Sequence, residues 1–285
     1  MGSPCTFHVY HRDKEKRKQA ITLAQQEVVR LEKKYSRFLK DSTLSKINNQ
    51  AGIQPIQVDS ETAGLLNYAA ICFEQSAGLF DITSGVFRRI WDFKSNRLPG
   101  QAAINEVLQH VGFEKITWDG NSISLPTHME IDLGGVVKEY AADCARQIFL
   151  ENDIHHGLVN LGGDMAVVGE KPDSSPWVVG VRNPQQPQYA LVDIPLTQGA
   201  IATSGYYERY MLVDGERYCH IINPLTGWPV KYCATVSVVS PRCLVSGSLA
   251  TIAMLKQQEA VTWLEEQGAV FFLQNHKTQC FGSFC

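Results

Sequence analysis

The stretch Ile131-Asp-Leu-Gly-Gly-Val-Val-Lys-Glu-Tyr-Ala-Ala-Asp143 places the tightest constraint on this chain. An apolar-flanked segment ends in two glycines, and a helix starts behind them with Lys138 in its first turn. Glycines at such a junction let backbone amides approach an anion, and a helix N-terminus favours negative charge. The lysine adds a full positive charge beside them. Residue chemistry alone makes this a candidate phosphate site. For one Gly-Gly pair, an ordinary tight turn with a solvated lysine competes with that reading.

Three further loops share the composition: 81–85, 203–205 and 220–227. Each combines glycine with hydroxyl, carboxylate or similar polar side chains next to apolar strand or helix. Converging amides, hydroxyls and one lysine suit a pyrophosphate. The familiar phosphate and catalytic signatures are missing: no Gly-x-x-x-x-Gly-Lys-[Ser/Thr], no Gly-x-Gly-x-x-Gly after a strand, no His-Glu-x-x-His and no Gly-x-Ser-x-Gly. The net charge of -3 argues against non-specific nucleic-acid binding, which needs a basic face. No apolar run approaches the roughly 18 residues that span a bilayer, so no transmembrane segment is expected. The first residues lack the basic start and apolar core of a signal peptide, and a cytoplasmic protein is expected. Eight cysteines without a Cys-x-x-Cys pair fit neither a zinc ribbon nor a disulfide scaffold, so reduced thiols are expected.

Periodicity predicts an amphipathic helix over 13–35, a short helix from Ser42 or Thr43, and a helix over 61–76 capped by Ser60. A polar turn at 79–85, a short helix over 102–111 and a hairpin over 116–125 follow. The central helix runs to about 151. Residues 157–169 form two strands around a second Gly-Gly turn, with Asp164 just beyond it. Strands over 177–182, 189–195 and 234–239, helices over 244–255 and 257–267, and closing strands complete the chain. Interleaved helices and hairpins without a repeat or composition break predict one α+β domain over 1–285, with mixed sheets and flanking helices.

Taken in order, Met1-Gly-Ser, Ser42-x-Leu-Ser-x-Ile-Asn48, Phe80-Asp-Ile-Thr-Ser-Gly85, Ile131-Asp-Leu-Gly-Gly-x-x-Lys138, Val159-Asn-Leu-Gly-Gly-Asp164, Ala202-Thr-Ser-Gly205, His220-Ile-Ile-x-Pro-x-Thr-Gly227 and Ala250-Thr251 resemble the ApbE family. The resemblance covers almost the whole chain. It implies a T-fold-like architecture and FAD:protein FMN transferase activity. In that reaction FAD is cleaved with a divalent metal, usually Mg2+. FMN passes to a threonine or serine hydroxyl of a partner protein, and AMP leaves. Carried over by position, Met1, Phe38, Leu79, Phe80, Asp81, Asp132, Lys138, His220 and Ile221 would contact FAD. Gly135, through its carbonyl, and Thr251 would hold the metal. His220 is the candidate base for the acceptor hydroxyl.

The pattern departs from the family at two ligand-like positions. Gly247 stands where the family has a metal-binding aspartate, in Ser246-Gly-Ser-Leu-Ala-Thr251, and Asn223 replaces a common aspartate. Losing a carboxylate removes a hard anionic ligand. A flavin-binding protein without transfer, or an FAD pyrophosphatase, is therefore the alternative. Glu139 stands where the family usually has glycine. As the neighbour of Lys138 on a helix it is expected to point about 100° away, which argues against its replacing the missing carboxylate.

Overall fold

The computed structural model describes residues 3–186, 188–207 and 209–285, so Met1 lies outside the described residues. β1 (Cys5–Tyr10) opens the fold. Asp13 caps α1 (Lys14–Tyr35), accepting the N–H groups of Glu15 and Lys16 at 2.9 and 3.0 Å. Those are donors that a first helical turn otherwise leaves open. Ala20, Ala24, Val28, Leu31 and Tyr35 form the buried stripe of α1. Next come α2 (Thr43–Asn49), β2 (Ile56–Gln57) and α3 (Ser60–Gln75). The cap of α3 is Asp59 rather than Ser60: Asp59 Oδ1 accepts the Thr62 N–H at 2.9 Å. The helix starts one residue earlier than the sequence suggested, which places Ser60 in its first turn.

A 3-10 helix at Ile82–Arg89 replaces the expected polar turn. It is followed by α4 (Gln101–Leu108), β3 (Thr117–Trp118), β4 (Ser122–Ser124) and α5 (Val137–Glu151). The rest is mostly strand: β5 (His156–Leu161), β6 (Asp164–Gly169), β7 (Trp177–Arg182), β8 (Ala190–Leu196), β9 (Ala200–Gly205), β10 (Tyr210–Val213), β11 (Glu216–Cys219) and β12 (Cys233–Ser240). The chain closes with α6 (Cys243–Lys256), α7 (Ala260–Glu266), β13 (Val270–Asn275) and β14 (Cys280–Gly282).

The main sheet has the order β1-β5-β6-β9-β12-β13-β14, and its neighbours pair antiparallel. Side chains alternate between its faces. Val159, Ala166, Val168, Ala200, Val236, Val238, Phe271 and Leu273 join the core under α5 and α6. Leu158, Val167, Ile201 and Phe272 face the other way, against Trp177, Val179, Val181, Ile194 and Leu196 of the β7–β8 hairpin. A third cluster, built on Val86, Phe87, Trp91, Ile104 and Met211, joins the 3-10 segment and α4 to the β10–β11 hairpin. Helices packed on an antiparallel sheet make the chain α+β, as its hairpin-rich pattern predicts.

Cys280 and Cys285 are joined, with Cα atoms 5.8 Å apart, where the sequence suggested reduced thiols throughout. The turn after β14 brings the two together. Cys72, Cys219, Cys233 and Cys243 are free and buried, as small hydrophobes are. No described helix is long and apolar enough to cross a membrane.

Candidate active site

Lys138 stands in the first turn of α5, just past Gly134 and Gly135. Its ammonium pairs with the carboxylate of Asp164, the first residue of β6, and lies 3.8 Å from Glu139 Oε1. Asp164 follows the Gly162-Gly163 turn, whose φ values of +66° and +98° suit residues without a side chain. Ser3 packs over Gly162, and the Gly162 N–H donates to the Pro4 carbonyl at 2.9 Å, so the start of the chain runs beside Lys138. Asp164 Oδ1 accepts the Thr203 N–H at 3.3 Å, and the hydroxyls of Ser204 and Thr251 lie 3.2 Å apart. The mouths of two Gly-Gly turns, the end of β9 and the middle of α6 therefore meet in one polar cluster.

Glu139 belongs to this cluster, contrary to the helical-angle expectation. The long stem of Lys138 reaches across to Asp164, while Glu139 projects at α6. A β-carbon built on Gly247 would lie 2.5 Å from Glu139 Cγ and 3.3 Å from Oε1. Glu139 is only 6% exposed, and its Oε2 has no hydrogen-bond partner. Burial, then the adjacent Asp164 charge, push its carboxyl well above the usual carboxylate range. One turn along the same face of α5, Asp143 caps α6 by accepting the N–H groups of Cys243 and Leu244. The two helices thus meet through residues four apart on each: Glu139 and Asp143 against Gly247 and Cys243.

The remaining expected contacts lie around the first Gly-Gly turn. Asp132 holds that turn by accepting the Gly134 N–H at 2.8 Å, and it pairs with Arg37. The Asp132 N–H donates to the Ile82 carbonyl at 2.7 Å, and a β-carbon on Gly85 would meet Asp132 Cβ at 2.6 Å. This close approach explains the glycine in the Thr-Ser-Gly segment. Gly135 is exposed, with the Phe80 ring 3.7 Å from where its β-carbon would be; Phe80 itself is buried, and Leu79 packs on the main core. Asp81 turns away into its own segment, accepting from the Thr83 N–H and hydroxyl and from the Phe113 N–H. Burial raises its pKa above the usual value. Phe38 is 81% exposed, with the Arg37 guanidinium 5.0 Å from its ring centre. Behind Asp132 lies a cavity of about 250 Å³ lined by Arg37, Asn48, Arg88 and Glu130, separate from the Lys138 cluster.

His220 directly follows β11, at the start of the His-Ile segment. Burial lowers its pKa first, the Arg209 and Lys138 charges lower it further, and the Arg209 carbonyl contact opposes them. Nδ1 sits 3.2 Å from that carbonyl. Donation from Nδ1 leaves the lone pair on Nε2. Ile221 packs against the core beside it. Asn223 Oδ1 accepts the Leu225 N–H at 2.9 Å, so this amide shapes its own loop, a task an aspartate would perform equally.

The sequence model of the ApbE family matches residues 1–272. The chain belongs to the ApbE family. An FAD:protein FMN transferase of Treponema pallidum is 31% identical over 279 residues, covering 88% of this chain and 75% of that protein. One from Vibrio cholerae is 29% identical over 252 residues, covering 85% and 75%. The crystal structure of the ApbE protein of Thermotoga maritima superposes with a TM-score of 0.89 at 30% identity, over 96% of this chain and 92% of that one. The apo form of the Pseudomonas stutzeri flavinyl transferase ApbE reaches 0.87 at 23% identity, a likeness of fold. Against the ApbE pattern, sequence reasoning gave no role to Asp164 or Arg37 and set Glu139 aside. The signal for Glu139 was available: a glycine is replaced by a carboxylate on one helix, and a carboxylate by a glycine on another.

Proposed function

We propose that this chain is an FAD:protein FMN transferase that uses Mg2+ and modifies a threonine or serine of a partner protein. What carries the proposal is the Lys138–Asp164 pair between two Gly-Gly turns, in a chain whose relatives bear that name. In this reading Lys138 and the exposed amide of Gly135 receive the pyrophosphate, and the Phe38 ring offers an exposed face to a planar ring.

Charge balance supports a cation. The Lys138 ammonium is already paired with the Asp164 carboxylate, so a pyrophosphate arriving there would bring negative charge that this pair does not balance. The donors present fit a hard divalent ion: the Glu139 oxygen without a hydrogen-bond partner, the Thr251 hydroxyl and the exposed Gly135 backbone. Among the described residues no group of three or more His, Cys, Asp or Glu side chains gathers to hold a metal. Mg2+ takes one or two carboxylates and fills its shell with phosphate oxygens and water. When bound, the ion would neutralise charge developing on the phosphates.

The acceptor hydroxyl oxygen bonds to the phosphorus of the FMN half, and the bond from that phosphorus to the bridging oxygen breaks. AMP departs with the electron pair. The hydroxyl proton passes to Nε2 of His220. Lys138 holds the phosphate oxygens as charge moves between them.

The test mixes the chain with FAD, Mg2+ and a threonine-bearing acceptor. Flavin fluorescence that stays on the acceptor through denaturing electrophoresis, with one AMP per label, is the expected result. Free FMN and AMP without labelling would replace transfer by pyrophosphatase activity. FAD binding without cleavage would reduce the function to flavin binding.

A further inference from the structure

We propose that Glu139 supplies this chain's anionic metal ligand from α5, and that residue 247 is glycine because the Glu139 side chain occupies the space of any side chain there. The inference rests on the metal-dependent reading above and assigns the carboxylate that reading requires.

Three observations carry it. First, Glu139 is 6% exposed and one carboxylate oxygen lacks a hydrogen-bond partner. Burying an unsatisfied carboxylate oxygen is costly unless a further group completes it. Second, the carboxyl lies at the polar cluster: Oε1 is 3.8 Å from Lys138 Nζ, the ammonium that pairs with Asp164. Third, Gly247 is cut to fit it. A β-carbon there would stand 2.5 Å from Glu139 Cγ and 3.1 Å from Cδ, closer than packed atoms allow. Asp143 fixes the register of this crossing by holding the first turn of α6, so Glu139 cannot slide off Gly247 without breaking that cap. Thr251, one turn beyond Gly247 on α6, keeps its hydroxyl at 3.2 Å from Ser204 on the same side of the cluster. A carboxylate delivered from α5 therefore reaches the place that a side chain at residue 247 would otherwise serve.

The test uses the full chain and Mn2+ as the probe, read by loss of the free-ion EPR signal with and without FAD. The wild type is expected to bind Mn2+ more tightly in the presence of FAD. Glu139→Gln keeps the shape and removes the charge. It should weaken Mn2+ binding to the FAD complex about tenfold or more. Glu139→Ala combined with Gly247→Asp moves the carboxylate to α6 and should regain most of the affinity. That pair also decides the matter if Glu139→Gln does not fold. Unchanged Mn2+ affinity in Glu139→Gln, failure of the double variant to regain it, or no Mn2+ binding by the wild-type FAD complex would each overturn the assignment. A wild type that binds Mn2+ through Glu139 yet labels no acceptor removes the transferase reading and leaves this ligand in place. Labelling with Mn2+ affinity indifferent to Glu139 does the reverse.

Discussion

Asp143 on α5 accepts the backbone N–H of Cys243 at 2.9 Å, so one helix caps another that begins 100 residues later. The same carboxylate takes the Leu244 N–H at 3.0 Å, and burial raises its pKa above the usual value. Asp143→Ala removes the cap and leaves buried donors unpaired. It should cost about 1–3 kcal/mol of stability, measured by urea unfolding. Asp143→Asn keeps one acceptor and should lose less. Equal, negligible losses for both would mean that the cap does not hold the helix crossing.

Gly247→Ala places a methyl group against Glu139 Cγ, where 2.5 Å separates the two positions. Overpacking of this kind costs about 1–3 kcal/mol. Because the obstacle is one side chain, Glu139→Ala in the same molecule should relieve it. The two substitutions are expected to be non-additive by about 1 kcal/mol or more in a double-mutant cycle. Additivity would show that the helices adjust around the extra carbon.

His220 has a lowered pKa, so its imidazole stays neutral and able to accept a proton at pH values where an ordinary histidine, near 6.5, begins to charge. The acid limb of FMN transfer at saturating FAD should have its midpoint below pH 6.5. His220→Gln should slow transfer by about 10²–10⁴-fold and remove that acid limb. An acid limb centred above pH 6.5, or one that survives the substitution, would assign the proton to another group.

Glu61 joins α3 to α1 through Arg30 and Lys34, with contacts of 2.6 and 2.7 Å. The Arg30 hydrogen bond, then Lys34, bring its pKa down to about 2 from an ordinary 4.5, against opposition from burial. A folded-state pKa below the unfolded one means that the stabilisation is complete above pH 4.5 and fades as pH falls toward 2. Wild type should therefore exceed Glu61→Gln in unfolding free energy at pH 7, with the gap narrowing at pH 3. A gap of equal size at both values would show that packing, rather than charge, sets the difference.

The sequence by itself determined the local structure and the family. Apolar spacing marked α1, Gly-Gly dipeptides marked the turns beside Lys138 and Asp164, and motif order identified an ApbE chain. These are legible because backbone freedom and helical periodicity act over a few residues. Tertiary structure decided how the pieces face one another. It gave the α3 cap to Asp59, turned Asp81 toward Thr83 and Phe113, tied Asn223 to its own loop, and set Glu139 against Gly247. Each depends on a one-residue register or on a helix crossing between distant segments. Sequence spacing fixes the direction of a side chain about its own helix axis, whereas the identity of its neighbour follows from packing α5 and α6 on one sheet face.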